Sequence, residues 1–166
     1  MTTLNYILAG AGLAIMILIF ILLRLKKKPV VDLPPIDLNE PASWTEEEVS
    51  VFERISKHRV DSGFSPLFFN DELKVLSQGR VKFWINRSTP KEELHHYWLG
   101  HAQIYRDKGY ERIDENAQLG YVRIFYMFKT SEDHNASMLN PNNITGAITI
   151  RKDAFGKNRT CLILAT

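Results

Sequence analysis

The 166-residue sequence predicts an α+β domain carried behind one N-terminal membrane-spanning helix. Three observations lead there. An uncharged apolar run extends from Leu4 to Leu23, helical periodicity follows between residues 44 and 130, and after Pro141 the pattern changes to β-type alternation.

The apolar run comes first. Asn5 and Tyr6 are its only strongly polar side chains. At a rise of ~1.5 Å per residue its twenty residues cover ~30 Å, the thickness of a bilayer's hydrocarbon core. A cleaved signal peptide is the competing explanation, but it needs a basic leader, a shorter apolar core and a small-residue cleavage site. Here the leader is Met1-Thr2-Thr3, and the run stops at Arg24, Lys26, Lys27 and Lys28. Those four cations suit the membrane interface and anionic lipid headgroups. Gly10 and Ala14 form a small-xxx-small pair of the kind that lets two helices approach.

Because all four flanking cations follow the span, the positive-inside rule places the N-terminus outside and the domain on the cytoplasmic or internal side. The single cysteine, Cys161, cannot form an intrachain disulfide and agrees with that side. Four Asn-x-Ser/Thr sequons, at Asn86, Asn135, Asn143 and Asn158, argue for the opposite side. Beyond residue 28 the chain holds seventeen Lys and Arg against nineteen carboxylates. A slightly acidic domain with no basic stripe excludes nucleic acid as a partner.

Residues 1–28 are therefore anchor and basic flank, and residues 29–43 a stalk. Pro29, Pro34, Pro35 and Pro41 fix φ and favour extended neighbours, so the stalk is semi-rigid and reaches ~45 Å at ~3.1 Å per residue. The domain, residues 44–166, opens on Ser43-Trp44-Thr45-Glu46, which reads as a capping box. Val51, Phe52 and Ile55 share one face of the first helix, and Gly63 ends it. Asn70 or Asp71 caps a second helix carrying Leu73, Leu76 and Phe83. A third helix runs from Pro90 to Lys108, and a fourth from Asn116 to Thr130 with Leu119, Val122, Phe125 and Tyr126 as its buried side. Residues 144–151 and 160–165 are strands joined by the turn Phe155–Asn158, and a further strand is expected near 109–115. The architecture is helices covering an antiparallel sheet.

No phosphate loop, nucleophile elbow, zinc helix or pair of Cys-x-x-Cys is present. The polar residues at element junctions are His95, His96 and His101, then Glu115-Asn116, then Ser131 and His134. Imidazole and carboxylate can hold a divalent metal or exchange protons. The same residues can equally cap helices or face water.

One succession of short motifs is distinctive. Lys57-His58-Arg59, Pro66-Leu67, Glu72-Leu73, His96, Glu115-Asn116, Ser131-x-x-His134, Leu139-Asn140-Pro141 and Gly146 stand in the order seen in the CAP superfamily. The chain resembles that superfamily of cysteine-rich secretory, antigen 5 and pathogenesis-related proteins, and its single-domain bacterial members above all, across residues 47–166. The resemblance implies an α-β-α sandwich with a cleft holding two histidines and up to two acidic residues, which binds Zn²⁺ or a similar cation in many members. Carried over, the cleft residues are His96, with His95 as its neighbour, His134 and Glu115. The second acid of the family tetrad has no equivalent, although Glu132 and Asp133 lie close by. A site of two imidazoles and one carboxylate should bind metal only modestly. The resemblance points to binding, with lipid, sterol, glycan and protein partners found among members. Two other expectations stand beside a tethered binding domain: a metal-dependent hydrolase using His96, Glu115 and His134, and a structural component fixed between a membrane and a larger assembly such as an envelope or virion.

Overall fold

The computed structural model describes residues 39–85 and 104–166. The chain divides into two compact units, Met1–Asp32 and Leu33–Thr166, and every described residue belongs to the second. The expected anchor, Arg24, Lys26, Lys27 and Lys28, most of the stalk, and His95, His96 and His101 lie outside the described residues. Among the described residues no helix is long and apolar enough to cross a membrane.

Helix α1 spans Glu46–Asp61. A capping box starts it two residues later than expected. Thr45 Oγ1 accepts from Glu48 N at 3.3 Å, and Thr45 N donates to Glu48 Oε2 at 2.8 Å. Ser43 is engaged elsewhere, its N–H donating to Gln78 Oε1 at 2.9 Å. A two-residue strand β1, Phe68–Phe69, precedes helix α2, Asp71–Ile85. Asn70 caps α2, its Oδ1 accepting from Leu73 N at 2.9 Å. The described end of the expected third helix, residues 104–107, is helical.

The expected helix from Asn116 to Thr130 is the main correction. Strand β2, Ile113–Leu119, occupies its first turn, helix α3 covers only Ile124–Thr130, and a further helix α4, Glu132–Met138, follows. All seven β2 residues pair with β4, and that non-local ladder overrides the helical pattern. Ile124 and Phe128 are the buried side chains of α3, whereas Leu119, Val122 and Tyr126, expected inside, are exposed. The terminal strands appear as expected, β3 as Thr145–Lys152 and β4 as Asn158–Ala165.

The sheet order is β1-β3-β4-β2, with β1 parallel to β3 and the other pairs antiparallel. Alternation along β4 divides the core into two. Leu162 and Leu164 pack with Val51, Phe52, Ile55, Phe128 and Met138, while Cys161, Ile163 and Ala165 pack with Leu73, Leu76, Val81 and Trp84. The sheet is thus sandwiched between α2 on one face and α1, α3 and α4 on the other. Gly146 permits this closeness, because a Cβ there would lie 2.7 Å from a Leu164 methyl and 2.8 Å from Ile163 O.

Strand β1 covers only Thr145 and Gly146 of β3, and among the described residues the rest of that edge has no partner strand. Two buried side chains complete it. Ile150 N donates to Glu48 Oε1 at 2.8 Å, and Lys74 Nζ donates to Ile148 O at 2.6 Å. Lys74 and Glu48 also pair with each other at 2.9 Å, both side chains fully buried. Burial pushes the Lys74 pKa down to about 8, with Glu48 opposing the shift. The native state therefore releases this proton before the unfolded chain does. Stability should rise with pH between about 8 and the unfolded value of about 10.4. Urea midpoints across that interval should show the rise in the wild type, and the slope should flatten in Lys74→Met.

The sequon at Asn143 is structural. Its side chain is fully buried, with Nδ2 donating to Asp114 Oδ2 at 2.8 Å and to Ser137 O at 3.1 Å. Asn135 and Asn158 are also engaged, Asn135 Oδ1 with His58 Nε2 at 2.9 Å and Asn158 Nδ2 with Tyr121 O at 3.0 Å. Asn86 lies outside the described residues.

Candidate functional site

The edge strand β2 carries polar residues on both faces. Alternation turns Glu115 towards α2 and turns Asp114, Asn116 and Gln118 towards α4. On the α2 side, Glu115 Oε1 accepts from Arg80 Nε at 2.9 Å and lies 2.8 Å from Arg80 Nη2. The Arg80 guanidinium lies over the Trp84 ring, 4.9 Å from its centroid. Burial raises the Glu115 pKa above the usual carboxylate range, and Arg80 opposes that rise. Among the described residues, Glu115 Oε2 and Trp84 Nε1 of this wall are buried without a hydrogen-bond partner.

On the α4 side, Asn116 Nδ2 donates to Ser137 Oγ at 2.8 Å. Gln118 Nε2 and His134 Nδ1 lie 3.3 Å apart, within hydrogen-bond reach. The imidazole meets the Phe128 ring edge-on, with centroids 5.4 Å apart. Burial lowers the His134 pKa, while Asp133 pulls in the other direction. Ser131 occupies the N-cap position of α4 through its backbone, its O accepting from Asn135 N at 2.8 Å, and its side chain makes no capping bond.

The turn after α4 is held from beneath. Fully buried Arg59 donates to Met138 O at 2.5 Å, Asn140 O at 2.8 Å, Asn143 O at 2.7 Å and Ser65 O at 2.9 Å. Asp114 Oδ2 accepts from Asn140 Nδ2 at 2.9 Å as well as from Asn143. These bonds fix the Leu139-Asn140-Pro141 segment, and with it the C-terminal end of α4.

Around the β2 edge the two sides share a cleft of about 500 Å³, lined by Arg80, Trp84, Asp114, Glu115, Asp133, His134 and Ser137 among others. Glu115 and His134 both line this cleft. They do not face each other, because the strand's pleat separates them and each is already engaged. Among the described residues no group of three or more His, Cys, Asp or Glu is placed to hold a metal ion. His95 and His96, the other expected ligands, lie outside the described residues. The donors described here do not by themselves fit Zn²⁺.

Arg80, Trp84, Gln118 and Ser137 were not singled out by sequence. Arg80 and Trp84 stand at i, i+4 on one predicted helix, and a carboxylate expected at a cleft calls for a nearby cation; those were the available signals.

No protein-family model matches the chain, and no curated protein sequence matches it. Among the solved structures that share its fold are two at low identity. One is an outer surface protein from Borrelia burgdorferi, with 16% identity and a TM-score of 0.57, covering 75% of this chain and 96% of that one. The other is a cysteine-rich secretory protein from Staphylococcus aureus, with 16% identity and a TM-score of 0.53, covering 74% of this chain and 40% of that one. The chain spans less than half of the staphylococcal protein. These likenesses support a CAP-like fold for the described residues.

Proposed function

We propose that the chain is a membrane-tethered binding domain whose CAP-like fold presents the cleft at the β2 edge to a cationic group on a protein partner. One observation carries this. Glu115 Oε2 is buried in the cleft wall with its accepting capacity unused among the described residues. Such a group costs stability unless a ligand satisfies it. Among the described residues the lining adds Asp114 and Asp133 to Glu115 against one cation, Arg80, so a positively charged hydrogen-bond donor complements it. The tether is supported by the uncharged run from Leu4 to Leu23 and its basic flank.

Binding is preferred to hydrolysis on the geometry. Ser137 Oγ is bonded to Asn116 and His134 Nδ1 to Gln118, so neither forms part of a nucleophile–base pair among the described residues. A scaffolding role in an envelope or virion uses the same tether and the same cleft.

The test is calorimetric titration of the full chain in detergent with a lysine-rich hexapeptide. Binding should weaken on the order of tenfold in Asp133→Lys and stay unchanged in Glu53→Lys, which reverses an exposed charge on α1. Equal loss in both variants would show a diffuse charge effect and remove the cleft from the proposal. A parallel titration with Zn²⁺ should show nothing tighter than millimolar. Tight binding abolished by His96→Ala and His134→Ala would replace the proposal with a metal centre. Alkaline carbonate should leave the full chain in the membrane pellet, and its release would refute the anchor.

A further inference from the structure

The apolar surface that this fold leaves unburied includes a group at one end of the sheet. The β3–β4 turn, residues 153–157, raises Phe155 to 85% exposure, and in the segment after β2 Val122 is 86% exposed with Tyr121 beside it. The two segments are held together. Gly120 N donates to Asn158 O at 2.7 Å, Asn158 Nδ2 donates to Tyr121 O, and Leu119 stands opposite Arg159 in the ladder.

The exposure of Phe155 is built into the turn. Asp153 Oδ1 accepts from both Phe155 N and Lys157 N at 2.9 Å, and Arg159 Nε donates to Asp153 Oδ2 at 3.0 Å. Asp153 N donates to Lys157 O, Gly156 N donates to Asp153 O, and Gly156 supplies the φ of +73° that the turn requires. An aromatic side chain is therefore held outward on an ordered support.

Charge is segregated to the same place. Residues 119–123 and 151–159 contain five of the seventeen Lys and Arg that follow residue 28, and one of the nineteen carboxylates, Asp153. The remainder of that region has twelve cations against eighteen carboxylates. Arg151 is paired with Glu48 and Arg159 with Asp153, which leaves Arg123, Lys152 and Lys157 exposed around the apolar side chains. The incoming chain is close by, since Glu40 and Ser43 share a depression of about 220 Å³ with Thr149 and Arg151, towards the turn end of β3.

From this juxtaposition we propose that the Lys152–Lys157 turn, with Tyr121–Arg123, is a docking foot for an anionic phospholipid surface. With the tether proposed above as its premise, the foot seats the domain on the membrane that anchors it. Phe155 and Val122 enter the headgroup region, Tyr121 lies at its edge, and Arg123, Lys152 and Lys157 meet lipid phosphates. A protruding apolar tip within a cationic ring fits a fluid anionic surface, which needs no complementary pocket. Docking leaves the β2 cleft on a separate part of the domain surface.

The test uses the full chain reconstituted into vesicles of phosphatidylcholine, or of equimolar phosphatidylcholine and phosphatidylserine. Ala154→Cys places a polarity-sensitive fluorophore beside Phe155, and Cys161 is buried and does not compete for the label. A blue shift and quenching by a headgroup-level nitroxide lipid are expected in the serine vesicles only, and should fade as salt is added. Lys152→Glu with Lys157→Glu should lower the docking equilibrium on the order of tenfold, and Phe155→Ser should weaken it with the circular dichroism unchanged. Equal signals in both vesicles, or none in either, would overturn the proposal. Shielding by soluble polyglutamate but not by serine vesicles would assign the foot to an acidic protein instead. Carbonate extraction of the same samples scores the anchor separately. Resistance without quenching rejects the foot alone, whereas extraction with quenching in serine vesicles rejects the anchor and keeps the foot.

Discussion

Arg59→Ala should lower the unfolding free energy by about 3–5 kcal/mol, a large part of the ~5–15 kcal/mol available to a domain of this size. The guanidinium is fully buried and has four carbonyl acceptors, Ser65 O, Met138 O, Asn140 O and Asn143 O. Truncation removes the donor from all four and opens a void where α1 meets the turn after α4. Burial lowers the Arg59 pKa, yet an arginine remains charged at any ordinary pH, so the site is built around a permanent cation. Arg59→Lys should recover only part of the loss, because three donors on one nitrogen cannot reproduce a planar fork that spans these acceptors. Urea unfolding gives the free energies, and limited proteolysis near Asn140 reports whether the turn opens first. A cost below about 1 kcal/mol in the alanine variant would mean the carbonyls find other partners.

Glu48→Gln should be comparably damaging, at about 3 kcal/mol or more, although it is nearly isosteric. The carboxylate joins three elements. It completes the α1 capping box, accepts from Ile150 N on the open edge of β3, and neutralises Lys74 on α2 and Arg151 at 2.6 Å. Several donors hold its pKa low against the opposing effect of burial. The amide keeps an acceptor for Ile150 N but leaves the fully buried Lys74 without its anion. A double-mutant cycle isolates that cause. Glu48→Gln combined with Lys74→Met should be markedly more stable than Glu48→Gln alone, because the stranded cation is gone. Additive losses would show that the Glu48 contribution lies in the cap and the strand edge instead.

The sequence by itself determined the fold class, the positions of the first two helices and the two terminal strands with their turn. Those features rest on short-range signals. Asn70 before Leu73 caps a helix wherever that helix packs, and alternation after Pro141 makes a strand regardless of its neighbours.

The tertiary structure alone decided the rest. Residues 116–119 read as the first turn of a helix, after a strand expected near 109–115, until seven ladder positions on β4 make 113–119 one edge strand, and that pairing joins segments 40 to 52 residues apart. Once they are a strand, the two-residue period turns Glu115 to Arg80 and leaves His134 to Gln118, so residues near in motif order face opposite layers. The same cause hid Glu48 and Lys74, which look like solvated helix charges until the shortness of β1 leaves Ile148 O and Ile150 N to be satisfied. Local sequence sets what an element can be. Which of its faces is buried, and which charge must be neutralised there, depends on partners brought together only by the sheet.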